Sequence, residues 1–261
     1  MTGPRFTAKK KLGQHFLVDE NLLGVIDRLA GLDSSDNVLE IGPGLGVLTA
    51  YLAERVAHVD AVEIDRELEP QLRERLVGHE NVSLHFGDAL ALDLATLAPS
   101  ATKLVANLPY NIATPLIVES LDGLPQIELW CVMVQREAAD RLFASPGSKV
   151  YGAVSVLVQL VTERRGFHPV SREAFRPRPR VESALVAFSR KPLPEDFGRI
   201  KRLVVAAFAH RRKTLANSLA ITGLVSRGEA ETTLVRVGRD PRSRAEALTP
   251  AEFVALAEAL S

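Results

Sequence analysis

One cysteine in 261 residues excludes an intramolecular disulfide, so the fold must hold without covalent cross-links, as suits a reducing compartment. That residue, Cys131, sits in the apolar run Leu129-Trp-Cys-Val-Met-Val134, where a small buried hydrophobe is expected rather than a nucleophile. No stretch approaches the roughly 18 uninterrupted apolar residues of a membrane span, and the N-terminus lacks the apolar core of a signal peptide. Both absences point to the cytoplasm. Net charge is lacking too: 32 basic residues balance 32 acidic ones. Zero charge argues at first against a nucleic-acid partner, but the charges are unevenly placed. Arg5, Lys9, Lys10 and Lys11 precede the first acid; Arg199, Lys201, Arg202, Arg211, Arg212 and Lys213 fill another acid-free stretch. Residues 164–191 are also strongly basic, whereas acids gather between Glu54 and Asp93. Such asymmetry can give a neutral protein a basic face, and a polyanion responds to the face.

The length suits one sizeable domain with a small appendage. Short apolar runs alternate with helical periodicity, the pattern of a parallel sheet with crossover helices. Strands are expected at Asn37–Ile41, His58–Ile64, Asn81–His85, Lys103–Ala106, Ile127–Val134 and Val181–Ser189. Helices are expected over Val47–Glu54, Glu67–Leu76, Pro115–Leu121 and Arg136–Phe143, and an apolar segment at Ala153–Val161 stays unassigned. After the linker-like Pro192-Leu-Pro194 the periodicity becomes wholly helical, with Thr249 as a plausible N-cap. The reading is an α/β Rossmann-like domain over residues 1–190 and a small all-helical domain over 191–261.

Gly42, Gly44 and Gly46 follow the first of these strands and remove side chains where a tight turn must approach a ligand. NAD, FAD and S-adenosylmethionine proteins all use such loops. Glu63 ends the next strand, where a carboxylate can accept from ribose hydroxyls. Asp88 follows the third, where it can accept from an adenine amine. Two acids favour a nucleoside without pyrophosphate, hence S-adenosylmethionine. Asn107-Leu108-Pro109-Tyr110 then ends the fourth strand, at the sheet edge where ligands of open α/β folds bind. The Asn107 oxygen and the Leu108 carbonyl can accept both N–H bonds of an adenine amine, Pro109 stiffens the turn, and Tyr110 can stack on the base. In Phe175-Arg-Pro-Arg-Pro179, Phe175 is expected to close the base's second face while Arg176, Arg178 and Arg180 meet phosphates.

Together these residues resemble the KsgA family of small-subunit ribosomal RNA adenine N6-dimethyltransferases. The likeness runs through Lys11-Leu-Gly-Gln-His-Phe-Leu17, Glu40-Ile-Gly-Pro-Gly-Leu-Gly46, Glu63-Ile-Asp65, Gly87-Asp-Ala89, Asn107-Leu-Pro-Tyr-Asn-Ile112, Tyr151-Gly152, Phe175–Ser183 and Ala207–Leu219. It implies dimethylation of two adjacent adenosines near the 3′ end of 16S RNA, late in assembly, on a pre-30S particle. It implies S-adenosylmethionine as methyl donor; nothing in the sequence calls for a metal or for more than a monomer. It places cofactor contacts at His15, Leu17, Gly42, Glu63, Asp88 and Asn107. The family's usual Gln-Asn-Phe-Leu reads Gln14-His15-Phe16-Leu17 here, so an imidazole replaces an amide. Arg211, Arg212 and Lys213, at a helix start, are expected to grip RNA backbone. The alternatives are an Erm-type 23S RNA methyltransferase, a DNA adenine methyltransferase and a non-catalytic assembly factor.

Overall fold

The computed structural model describes Lys9 and residues 12–260; Arg5, Lys10 and Lys11 of the basic N-terminus lie outside the described residues. The chain divides into two compact units, one of residues up to Ala139 with Arg164–Arg190, the other of Asp140–Glu163 with the chain from Lys191 on.

The first unit is organised by a seven-stranded sheet. In chain order its elements are β1 (Phe16–Leu17), α1 (Asn21–Ala30), β2 (Asn37–Ile41), α2 (Val47–Ala53), β3 (His58–Glu63), α3 (Glu69–Arg75), β4 (Val82–Phe86), α4 (Leu94–Leu97), β5 (Lys103–Asn107), α5 (Ala113–Gly123) and β6 (Leu129–Gln135). Helices α6 (Arg136–Leu142) and α7 (Ala153–Val161) follow, then β7 (Thr162–Val170), β8 (Phe175–Arg176) and β9 (Ser183–Arg190). The sheet order is β4-β3-β2-β5-β6-β9-β7, while β1 and β8 form a separate antiparallel pair. From β4 to β6 all neighbours are parallel; β9 returns antiparallel to β6, from Leu129↔Ser189 to Gln135↔Ser183. Central parallel strands are covered on both faces, which is why β2 reads as a run without alternation and buries four of its five residues. Helix α1 turns Leu22, Leu23, Ile26 and Ala30 inward at helical spacing and ends at Gly31 in the left-handed region.

The second unit is helical: α8 (Phe197–Phe208), α9 (Leu215–Ile221), α10 (Arg227–Arg236) and α11 (Pro250–Ala259), together with α7. Hydroxyl caps at Thr214, Ser226 and Thr249 start the last three; Thr249 and Glu252 satisfy each other's backbone N–H as a capping box. The expected single boundary after residue 190 therefore meets a different division, with residues 140–163 joining the helices. Aromatic packing gives the reason. Tyr151 is fully buried, meets Phe208 edge-on at 6.0 Å and donates to the Leu248 carbonyl at 2.9 Å, and Phe208 meets Phe253 at 5.8 Å. The unassigned segment at Ala153–Val161 is the helix α7.

Arg190 closes the first unit at the end of β9. Its guanidinium donates to the carbonyls of Ile127, Leu121 and Leu124 and lies 4.8 Å from the Trp130 ring. Partial burial pulls its pKa down, an effect that nearby Asp122 and Glu128 oppose. The Leu121 carbonyl is in the last turn of α5 and those of Leu124 and Ile127 are in the connection to β6, where Ile127 N–H also reaches Leu124, so one side chain ties the whole turn together. Arg190→Ala is expected to cost about 2–4 kcal/mol, since charged donors are lost and carbonyls left unpaired. Urea unfolding followed by circular dichroism checks this; a loss below about 0.5 kcal/mol, the range of ordinary surface changes, would count against the clamp.

Candidate active site

Four parallel strands deliver their ends to one edge of the sheet. Ile41 of β2 runs into the glycine loop, β3 ends on Glu63, β4 gives way to Gly87-Asp88, and β5 ends on Asn107. Residues 12–17 of the N-terminal arm face the same edge, and an open cleft lies among these segments. Of the sequence candidates it brings together His15, Leu17, Gly42, Gly44, Glu63, Asp88, Asn107, Leu108, Pro109 and Tyr110.

Two glycines show why side chains are excluded. Gly42 has φ +75°, and a Cβ there would lie 3.2 Å from Pro109 Cδ; Gly44 has φ +59°, and its Cβ would lie 2.9 Å from Phe16 Cδ1. The loop is thus wedged between the Asn-Leu-Pro-Tyr turn and the arm. Gly46, also at positive φ, stands at the N-terminus of α2 rather than in the cleft wall.

Glu63 is buried and accepts from Gly44 N at 3.0 Å and Asp65 N at 2.8 Å. Desolvation raises its pKa against the pull of these backbone bonds, and the Asp65 charge adds to the rise. Asp88 is exposed and accepts from Leu90 N at 3.0 Å. Asn107 Nδ2 donates to the His15 carbonyl at 3.0 Å, which leaves Oδ1 as the acceptor end of the amide. Leu108 N is held by the Met133 carbonyl at 3.0 Å. Tyr110 is half-buried, with its ring 5.4 Å from that of His15, whose Nδ1 lies 2.7 Å from the Pro177 carbonyl.

The arm and Glu40 were not singled out by spacing. Gln14 Nε2 and Lys9 Nζ both bond Asp65, at 2.9 and 2.7 Å, and Lys9 also pairs with Glu67. Gly13 has φ +64°, and a Cβ there would lie 3.2 Å from Asn111 Oδ1. The Lys11–Leu17 motif carried that signal, though not its fold. Glu40 is buried in the cleft wall; the Thr49 hydroxyl is close enough to favour its ionised form, yet Glu40 Oε2 and Thr49 Oγ1 each lack a partner of good hydrogen-bonding geometry.

One expectation needs correction. Phe175 does not line the cleft: it is fully buried in the core with Leu17, Leu23 and Ile26, because β8 pairs it against Leu17. A ring packed there is a hydrophobic plug. Arg211, exposed at its residue surface, turns its guanidinium back onto the carbonyls of Lys149 and Tyr151, both at 3.1 Å, which ties two segments of the second unit. Arg176, Arg178 and Arg180 are exposed; Arg176 bonds the Glu173 and Phe175 carbonyls and Arg178 pairs with Glu173. Arg212 and Lys213 are exposed.

The cleft carries three carboxyl groups, Glu40, Glu63 and Asp88, and among the described residues no lysine or arginine lines it. A pyrophosphate would meet repulsion there, whereas a cationic nucleoside fits. Glycines with little room for a Cβ and an unpartnered Glu40 oxygen suit the close approach of S-adenosylmethionine, whose hydroxyl and amine donors Glu63 and Asp88 would be placed to accept. Among the described residues no group of three His, Cys, Asp or Glu side chains could hold a metal.

Burial pushes the Glu40 carboxyl from an ordinary value near 4.5 up to about 8, and the neighbouring Glu63 charge adds to the rise. Between those values the unfolded chain has released a proton that the folded protein keeps, so stability falls as pH rises through this window. The slope is at most about 1.4 kcal/mol per pH unit for one proton. Glu40→Gln is therefore expected to gain stability relative to wild type at pH 7.5 compared with pH 5 in the ligand-free protein. Urea titrations at both values decide it, and a pH-independent difference would contradict it.

The family model described as "Ribosomal RNA adenine dimethylase" matches residues 5–261. A Rubrobacter xylanophilus protein, "Ribosomal RNA small subunit methyltransferase A", is 48% identical over 97% of this chain and 95% of its own length. Among solved structures, a dimethyladenosine transferase from Plasmodium falciparum superposes with a TM-score of 0.78 at 26% identity, covering 93% of this chain and 96% of that one. The 23S rRNA methyltransferase ErmE gives 0.68 at 28% identity, covering 94% and 99%. An acidic nucleoside cleft beside an Asn-Leu-Pro-Tyr turn, in a chain matched over nearly its whole length, makes this protein a member of the ribosomal RNA adenine dimethylase family.

Proposed function

We propose that the protein uses S-adenosylmethionine to dimethylate N6 of two adjacent adenosines near the 3′ end of 16S RNA, acting as a cytoplasmic monomer on a pre-30S particle late in assembly. The observation that carries the chemistry is the fixed amide of Asn107. Its donor end is spent on the His15 carbonyl, so Oδ1 is the end offered to an incoming amine. The small-subunit name of relatives at 39–48% identity favours 16S over 23S RNA. When bound, the cofactor supplies a methyl group made electrophilic by its sulfonium.

The chain's own residues supply positioning and electrostatics. An adenine amine is a poor nucleophile because its lone pair is delocalised into the ring. Asn107 Oδ1 and the Leu108 carbonyl accept its two N–H bonds, which favours pyramidalisation and frees the lone pair. Pro109 adds no competing N–H, and Tyr110 stacks on the base, an interaction typically worth about 1–3 kcal/mol. After the first transfer only one N–H remains, so one acceptor must let go as the methylated amine re-enters. His15 and Leu17 hold the arm side of the cofactor site; Gly42 and Gly44 allow close approach on the other. Arg176, Arg178 and Arg180 in the first unit, and Arg212 and Lys213 in the second, are the proposed phosphate contacts.

The test offers labelled S-adenosylmethionine with undermethylated 30S subunits, mature 30S, 50S and duplex DNA. Label on undermethylated 30S alone is expected. Label on 50S or DNA in its place would overturn the reading, and a cellular role intact in an inactive variant would favour a non-catalytic assembly factor. Asn107→Ala is expected to lower turnover at least about 100-fold, as loss of a transition-state contact does, with a smaller loss of cofactor affinity.

A further inference from the structure

Tyr110 offers the base a ring, and a stacking ring works only if its plane is held. Pro109 fixes the backbone before it but leaves the side-chain torsions free. At the far end of the ring, Tyr110 Oη lies 2.5 Å from Ser183 Oγ. Ser183 is fully buried and is the first residue of β9, where it sits opposite Gln135 in the antiparallel ladder with β6. The neighbouring Arg136 N–H donates to the Glu182 carbonyl at 2.9 Å, which fixes the entry to that strand. The serine backbone is therefore held by the sheet, while the tyrosine belongs to a turn beyond the end of β5. The His15 ring, tilted by 32°, lies beside Tyr110 within the same cleft.

We infer that Ser183 is a positioning residue: its hydroxyl locks the plane of the Tyr110 ring for stacking on the target adenine. The inference rests on the reading of Tyr110 given above. The oxygen lies on the axis about which the ring turns, so the bond fixes where the ring sits. Conjugation keeps the hydroxyl in the ring plane, which turns that plane toward the serine, and the base meets one surface in each cycle. Burial raises the Tyr110 pKa, so the hydroxyl stays neutral and serves as a hydrogen-bonding group, not as a base. If Ser183 merely satisfied a buried hydroxyl, its loss would touch stability and leave turnover alone. If it sets the ring, loss of either partner has the same kinetic effect, and the monomethylated base, bulkier and with one N–H fewer to hold it, suffers more.

Ser183→Ala, Ser183→Thr, Tyr110→Phe, Tyr110→Ala and the Ser183→Ala/Tyr110→Phe double variant are compared on undermethylated 30S subunits. Single-turnover rates, the ratio of monomethyl- to dimethyladenosine, cofactor affinity and urea midpoint are read for each. Ser183→Ala and Tyr110→Phe are each expected to slow transfer about five- to tenfold, the scale of one hydrogen bond. Both should raise the monomethyl fraction and leave cofactor affinity unchanged. The double variant should be no slower than either single, and Ser183→Thr should recover most of the rate. Multiplied losses, a Ser183→Ala effect confined to stability or cofactor affinity, or no recovery with threonine would overturn the proposal. Full activity in Tyr110→Ala would instead sink the underlying reading of the ring, and the inference with it.

Discussion

The Nδ2 of Asn107 and the carbonyl of His15 meet at 3.0 Å, and the geometry of the reacting edge depends on that contact. An amide has one end that donates and one that accepts. Which end faces the cleft is decided wherever the other end is tied. Here the tie comes from the N-terminal arm, ninety-two residues earlier in the chain, so the same segment that walls the cofactor cleft also orients the acceptor. One neutral hydrogen bond contributes only about 0.5–1.5 kcal/mol, too little to hold an arm alone. The arm is accordingly fastened elsewhere: Lys9 and Gln14 to Asp65, Leu17 to Phe175, and Phe16 against the glycine loop.

Charge is sorted with the same economy. In a protein of zero formal charge, the charged side chains that line the cleft among the described residues are all acids. The arrangement favours a cofactor with cationic groups and opposes dinucleotides that share the same loop pattern. Basic side chains lie exposed on the Phe175–Arg180 segment in one unit and at Arg212 and Lys213 in the other. The proposed sites for a polyanionic substrate and a cationic cofactor thus carry opposite sign and come from different parts of one chain.

Much of this was legible from local pattern. Asn37–Ile41 is a strand with the expected ends, because a buried parallel strand announces itself as a short apolar run after a turn. Thr249 caps its helix as expected, since capping is written within four residues. What escaped depends on distant partners. The β7 strand has a sequence of exposed charges, Glu163-Arg-Arg165, and is a strand by virtue of its place at the sheet margin. Phe175 was expected in the cleft because an aromatic between prolines suits a base wall, but pairing with Leu17 turns it into the core. Tyr151 draws residues 140–163 to helices that begin some fifty residues later, which no window of sequence reveals.

Trp130 sits fully buried on β6, stacked on Phe188 at 5.3 Å, its indole N–H donating to Ser120 Oγ at 2.9 Å beneath the Arg190 guanidinium. It is the only tryptophan in the chain. The molecule therefore carries a native optical label confined to one of its two units. Its emission reports the packing of the sheet that presents Asn107, while the helical unit, whose buried aromatics are phenylalanines and a tyrosine, stays nearly dark at the same wavelengths. A fluorescence transition and a backbone transition that separate would be the signature of two units melting independently, read without any dye or added probe.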